Sequence, residues 1–282
     1  MQSSNDFSAW IGKSETRTDQ CNANQLAAWG ATLDRDDDFP ATSTEVPPGF
    51  HWTLFPPLAR QSELGEDGHP HKGGFMPPIS LPRRMWAGSR IEFIKPLLVG
   101  ENVERCSTIK RIESKTGRSG TLVFVTLHHS FTCRGELSVS EEQDIVYRDA
   151  PAGPVLDTGG DPAPRGLWYR EIQPTESQLF RYSALTFNAH RIHYDLPYAT
   201  NTEGYPGLVV HGPLIATLLL DHLRRNIPND RLHKFSFRAI RPTYLTTPFS
   251  INGQPGNESG TVKLWSTDNR GRAGMEAEAV LR

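Results

Sequence analysis

The chain has 282 residues, room for one large domain or two ordinary ones with a sizeable core. Its 30 Lys and Arg against 32 Asp and Glu leave a net charge of −2, so no basic surplus points to nucleic acid. No run of about 18 apolar residues could span a membrane, and the N-terminus lacks the basic and apolar regions of a signal peptide.

The first helical signal is Asn22 to Leu33, which carries Leu26, Ala27, Trp29 and Leu33. Residues 56–86 follow, rich in Pro and Gly, and cannot form a long helix. Ile94-Lys95-Pro96 comes next and is echoed by Ile240-Arg241-Pro242. Gly117-Arg118-Ser119-Gly120 is echoed by Gly271-Arg272-Ala273-Gly274. Each glycine pair predicts a hairpin turn, and alternating strand-like sequence follows at 121–128 and 275–281. Arg118 lies 24 residues after Ile94, and Arg272 lies 32 after Ile240, so a duplication would be uneven. Cys21, Cys106 and Cys133 are odd in number and widely spaced, which predicts free thiols in a cytoplasm. Residues 149–166 read as a linker between halves 1–150 and 151–282.

In the second half, Thr175 and Gln178 have the spacing of a capping box and open a helix to Thr186. The longest apolar helix runs from Gly212 to Leu223, with Pro213 suited to its first turn; being apolar nearly all round, it should be buried. Between these helices lies a stretch dense in polar groups, Asn188, His190, Arg191, His193 and Asp195, then His211 and Gly212. A loop there can turn Asn188 and His193 toward one point. The free N–H groups and dipole at the start of the long helix suit a developing oxyanion. The common nucleotide, zinc-protease and serine-hydrolase motifs are absent from the sequence.

This stretch resembles the MaoC-like hydratase signature Ser/Thr-Gly-Asp-x-Asn-Pro-Ile/Val-His, followed by Asp-Pro-x-Phe/Tyr-Ala. Aligned on the last histidine, Thr186, Phe187, Asn188, His190, Arg191, Ile192 and His193 occupy its positions, with Asp195, Pro197 and Ala199 downstream. The segments 81–88, 117–125, 141–148 and 187–195 are similar to the itaconyl-CoA and mesaconyl-C4-CoA hydratase subgroup and to type 2 hydroxyacyl-thioester dehydratases. The similarity spans most of the chain from Phe50 onward. It implies an α+β double hotdog: two tandem curved antiparallel sheets on a central helix, the first half degenerate and forming the acyl pocket.

The resemblance further implies reversible hydration of an enoyl-CoA. His193 would be the base, Asn188 would hold the water, and the Gly212 N–H would hold the thioester oxygen. Arg191, Arg83, Arg84 and His211 are candidate substrate-binding residues. No metal is expected, and no cofactor beyond the CoA of the substrate. A homodimer is compatible with hotdog sheets; neither nucleic acid nor membrane is expected as a partner. The departure is Asn188 where aspartate is usual, since an amide cannot accept a proton. Two alternatives follow: a (3R)-hydroxyacyl-thioester dehydratase with an apolar acyl pocket, or a non-catalytic acyl-CoA-binding protein.

Overall fold

The computed structural model describes residues 7–117, 120–149 and 159–282. In chain order it contains β1 (Ser14–Gln20), α1 (Ala23–Thr32), β2 (Arg83–Phe93), β3 (Asn102–Gly117), β4 (Gly120–Cys133) and β5 (Glu136–Arg148). Then come β6 (Trp168–Ile172), α2 (Glu176–Thr186), α3 (Gly212–Asn226), β7 (Leu232–Ala239), β8 (Phe249–Pro255), β9 (Thr261–Thr267) and β10 (Ala273–Leu281). All three expected helices are present. Asn22 caps α1 by accepting the N–H groups of Asn24 and Gln25, and Thr175 caps α2 by accepting that of Gln178.

The strands form one ten-stranded antiparallel sheet, in the order β1-β3-β4-β5-β2-β7-β10-β9-β8-β6. Counting the strands of each half from its own start gives the same order, 1-3-4-5-2, read inward from each edge. The two halves meet where β2 pairs with β7, Gly88 opposite Arg238 through Glu92 opposite Lys234. A Cβ on Gly88 would lie 2.3 Å from the Phe237 carbonyl oxygen, so this seam needs a glycine. This is the expected α+β double hotdog. β5 ends at Arg148 and β6 begins at Trp168; residues 150–158 of the expected linker lie outside the described residues.

The topology corrects the repeat at one point. Ile94 and Ile240 do occupy equivalent places, just after β2 and β7. The two glycine tetrapeptides do not: 117–120 joins β3 to β4, whereas 271–274 lies where β9 turns into β10. The counterpart of the latter is the Arg134-Gly135 turn between β4 and β5, where both residues have positive φ. Short turn motifs recur at every hairpin, so two matches need not be equivalent. The uneven spacing follows. The sequence also conceals β1, whose residues are polar or small and mostly exposed, as an edge strand allows.

Residues Leu214 to Leu223 of α3 are all buried, as the apolar run predicts. In the first half the helical place is taken by a single 3-10 turn, Phe50–Thr53, whose Phe50 packs edge-on against Trp29 of α1. The Pro-rich segment covers the far end of the long β3–β4 ladder with Phe75, Met76, Ile79 and Leu81. Among the described residues no helix is long and apolar enough to cross a membrane.

Candidate active site

α2 ends by reversing sharply. Phe187 adopts φ +50° and ψ +39°, and the N–H of Asn188 reaches back to the Ser183 carbonyl at 2.8 Å. The left-handed region favours glycine, which is what the MaoC-like signature has here; Phe187 takes that conformation with its ring exposed. Asn188 then closes a small turn, its Oδ1 accepting the His190 N–H at 3.0 Å. That engages one lone pair of the amide oxygen and leaves the Nδ2 donors.

The next turn, Arg191–His193, buries His193 to 7% exposure. Its Nδ1 lies 2.7 Å from the Val209 carbonyl. A carbonyl only accepts, so Nδ1 carries the hydrogen and Nε2 keeps a lone pair. His211 stacks on the His193 ring at 3.6 Å between centroids and 20° between planes, and its Nε2 meets Ser183 Oγ at 2.8 Å. Ser183 thereby ties the end of α2 to the start of α3. Burial pushes the pKa of His193 down to about 4, so the ring is neutral near pH 7. His190 and His211 are also held low, by burial first and by neighbouring histidines second.

A cavity of about 490 Å³ lies where the start of β2, this loop and the N-terminus of α3 meet. Asn188, His193 and Gly212 all line it. Val210 donates to the Thr243 carbonyl at 2.8 Å and fixes the approach to α3. The first N–H groups of a helix have no partner within it, and Pro213 supplies none, so Gly212 presents its N–H at the cavity wall. The site therefore brings together a lone pair on a neutral imidazole, an amide donor and a helix N-terminus. Such a set can take a proton from water and stabilise an oxyanion.

The arginines divide. Arg84 lines the cavity and has no carboxylate partner among the described residues; its charge disfavours protonation of His69 and Lys72. Arg83 also lines it but pairs with Glu203 at 2.6 Å and sits over the Tyr205 ring. Arg191 is not brought to the cavity. It pairs with Asp195 at 2.7 Å, donates to the Glu66 carbonyl and rests on Tyr198, so it holds the loop together. His211, fully buried behind His193, likewise has no access to substrate. Both expectations of substrate contact are corrected on this geometry.

Among the lining residues that sequence reasoning did not assign to the site are Asp67, His69, Arg148 and Arg241. Arg241 had a signal, since it belongs to the repeated Ile-Arg-Pro motif. The loop carrying Asp67 and His69 docks onto the catalytic loop through the Arg191 N–H, 2.9 Å from the Asp67 carbonyl. Gly68 permits it: a Cβ there would sit 1.9 Å from the Ala189 oxygen, and its φ is +85°. Trp86 of β2 also borders the cavity.

Comparison with known proteins agrees with this geometry. Residues 49–245 match the family described as hydroxyacyl-thioester dehydratase type 2. The chain is 46% identical over 264 residues to the mesaconyl-C(4)-CoA hydratase of Chloroflexus aurantiacus, covering 91% of each. A solved MaoC-like dehydratase superposes with TM-score 0.72 at 16% identity, covering 96% of this chain and 98% of that one. A Mycobacterium tuberculosis protein described as a double hotdog superposes at 0.57 and 12% identity, covering 96% of each. These two likenesses bear on the fold, while the match across the catalytic loop and the central helix bears on kinship: the chain belongs to the hydroxyacyl-thioester dehydratase type 2 family.

Proposed function

We propose that this protein reversibly hydrates a short, branched, carboxylate-bearing enoyl-CoA, mesaconyl-C4-CoA or itaconyl-CoA, to citramalyl-CoA. The observation that carries the chemistry is the His193 lone pair, set in one cavity with the N-terminus of α3. The near relative named for mesaconyl-C4-CoA supports the substrate.

In this reading Nε2 of His193 takes a proton from water as the water oxygen bonds to carbon 3. The double-bond electrons move to the thioester oxygen, which the Gly212 N–H stabilises. The imidazolium then returns the proton to carbon 2. Asn188 donates Nδ2–H to the water oxygen, which orients a lone pair for attack. The free carboxylate of the acyl group meets Arg84, with Arg148 and Arg241 lining the same cavity. An apolar pocket would favour an unbranched fatty acyl chain; arginines in the cavity favour the dicarboxylyl substrate. Itaconyl-CoA, whose double bond is one position removed, passes through the mesaconyl isomer by loss of an α-proton and gain of one at the γ-carbon. The reaction transfers no electrons and needs no cofactor beyond the CoA of the substrate. The free thiols of Cys21, Cys106 and Cys133 support a reducing, cytoplasmic setting.

The test is turnover of mesaconyl-C4-CoA, itaconyl-CoA and crotonyl-CoA side by side, in wild type and His193→Ala. Hydration of the dicarboxylyl esters well above crotonyl-CoA, reduced at least ~100-fold in the variant, is the expected result. Preference for crotonyl-CoA would transfer the protein to fatty-acyl dehydration. Binding of CoA esters without turnover would make it a carrier.

A further inference from the structure

Hydration leaves one requirement that residues 188 and 193 do not meet. A water poised for attack has two hydrogens. His193 accepts one of them. In the family signature an aspartate carboxylate stands ready for the other, but here the position is Asn188, whose one acceptor oxygen already holds the His190 N–H and carries no charge. A stronger acceptor from elsewhere in the cavity would serve the second hydrogen better.

One is present on the loop from the first half. Both oxygens of Asp67 are committed to His69: Oδ1 accepts its backbone N–H and Oδ2 meets its Nδ1, each at 2.9 Å. A carboxylate accepts, so Nδ1 of His69 carries the hydrogen and Nε2 keeps a lone pair, the same tautomer that Val209 imposes on His193. The Asp67 and His69 side chains are 27% and 20% exposed, and both residues line the cavity that holds Asn188 and His193. The His69 ring lies 4.1 Å from that of His190, which stands 5.4 Å from that of His193 and edge-on to it. The loop is held there by the Arg191-to-Asp67 backbone bond and by the close approach of Gly68 to Ala189.

We infer that His69, oriented by Asp67, is a further catalytic residue: it accepts the second hydrogen of the attacking water, in place of the carboxylate that position 188 lacks. His193 still removes and returns the one proton that moves. His69 gains none over the cycle, and the charge on Asp67 favours the dipole that water attack builds toward this ring. The first half, read from sequence as the acyl-pocket half, thereby contributes to the chemistry.

This inference rests on the hydration reading, and the experiment separates the two. Wild type, His193→Ala, His69→Ala, His69→Gln and the isosteric Asp67→Asn are assayed on the same three thioesters, with circular dichroism and thermal midpoints as a check of folding. Expected are a ~100-fold fall in kcat for His69→Ala with KM within about threefold, a smaller loss for Asp67→Asn, and partial recovery in His69→Gln, whose amide oxygen can accept. Added imidazole should raise the rate of His69→Ala, at a part-exposed position, more than that of His193→Ala, at a buried one. Full kcat in folded His69→Ala and Asp67→Asn, with His193→Ala dead, overturns the inference and leaves the hydratase reading standing. A rise in KM alone makes the loop a binding element and also overturns it. Asp67, His69 and His190 offer atoms within 4.8 Å of one another, a spacing that could hold a metal ion. Loss of wild-type activity on chelation, restored by zinc, would make them a metal centre and overturn the inference. A wild type that turns over none of the esters removes both readings.

Discussion

Single groups in the candidate site have surroundings that leave one option open. His193 has its Nδ1 hydrogen fixed by the Val209 carbonyl and its face covered by His211, so a single lone pair remains. Burial holds its pKa down to about 4, below the ordinary histidine value of 6.5. A base must be neutral to work, so in the proposed role His193 is ready throughout the range above its own pKa. The dependence of log kcat/KM on pH should therefore run flat from about 8 through 6.5. A break centred near 6.5 would mean a solvated, ordinary histidine. Phe187 shows a different economy at the same scale. Its left-handed backbone is needed to aim Asn188, and the ring that replaces the usual glycine is simply left in solvent.

At the scale of elements, α3 is the strut on which the site stands. It is buried through two turns and more, and one charged side chain lies within the buried run. Asp221 is fully buried and receives Arg35 at 3.0 Å, Arg170 at 3.0 Å and Arg225 at 2.7 Å. These bonds join α3 to the segment after α1 and to β6. Replacing a buried, paired carboxylate leaves the cations without it. Asp221→Asn should cost about 3 kcal/mol of unfolding free energy, read from the urea midpoint, with kcat preserved wherever the protein stays folded. The first half lacks such a helix and uses a buried polar clasp instead. Glu141 accepts from Ser89 Oγ at 2.6 Å and from Trp52 Nε1, with His51 Nε2 at 3.2 Å, which fastens the short Phe50–Thr53 turn to the sheet.

The whole molecule is one sheet, and its cavity draws on both halves. Asp67, Arg84 and Arg148 come from the first, and Asn188, His193 and Arg241 from the second. Folding also collects histidines out of water. Burial leads in holding His69, His129, His190, His193, His211 and His222 below 6.5. As pH falls below 6.5 the unfolded chain takes protons that the native one refuses, so stability present above 6.5 is lost on acidification. Each such ring costs up to about 1.4 kcal/mol per pH unit. Urea denaturation at pH 7.5 and 5.5 should show a drop of several kcal/mol; equal midpoints would mean the rings are protonated in the native state. Below that range the lowered carboxyls of Asp67 and Glu141 add to the loss.

The sequence by itself determined what depends on near neighbours along the chain. Asn22 and Thr175 mark their helices because a cap is made within three residues. The apolar run at 214–223 declares its own burial, and the run of prolines and glycines denies the first half a helix. The resemblance named the fold and picked out His193, Asn188 and Gly212, all of which line one cavity. Tertiary structure alone decided what depends on distant segments meeting. Arg191 and Arg84 looked alike as candidates for substrate, but Arg191 is spent on Asp195, while Arg84 lines the cavity with no carboxylate partner among the described residues. β1 carries no apolar alternation because only hydrogen bonding at the edge of β3 makes it a strand. Asp67 and His69 lie more than a hundred residues from His193, in a loop with no periodicity. The close approach of Gly68 to Ala189 and the bonds from Arg191 to the Glu66 and Asp67 carbonyls bring them to the site.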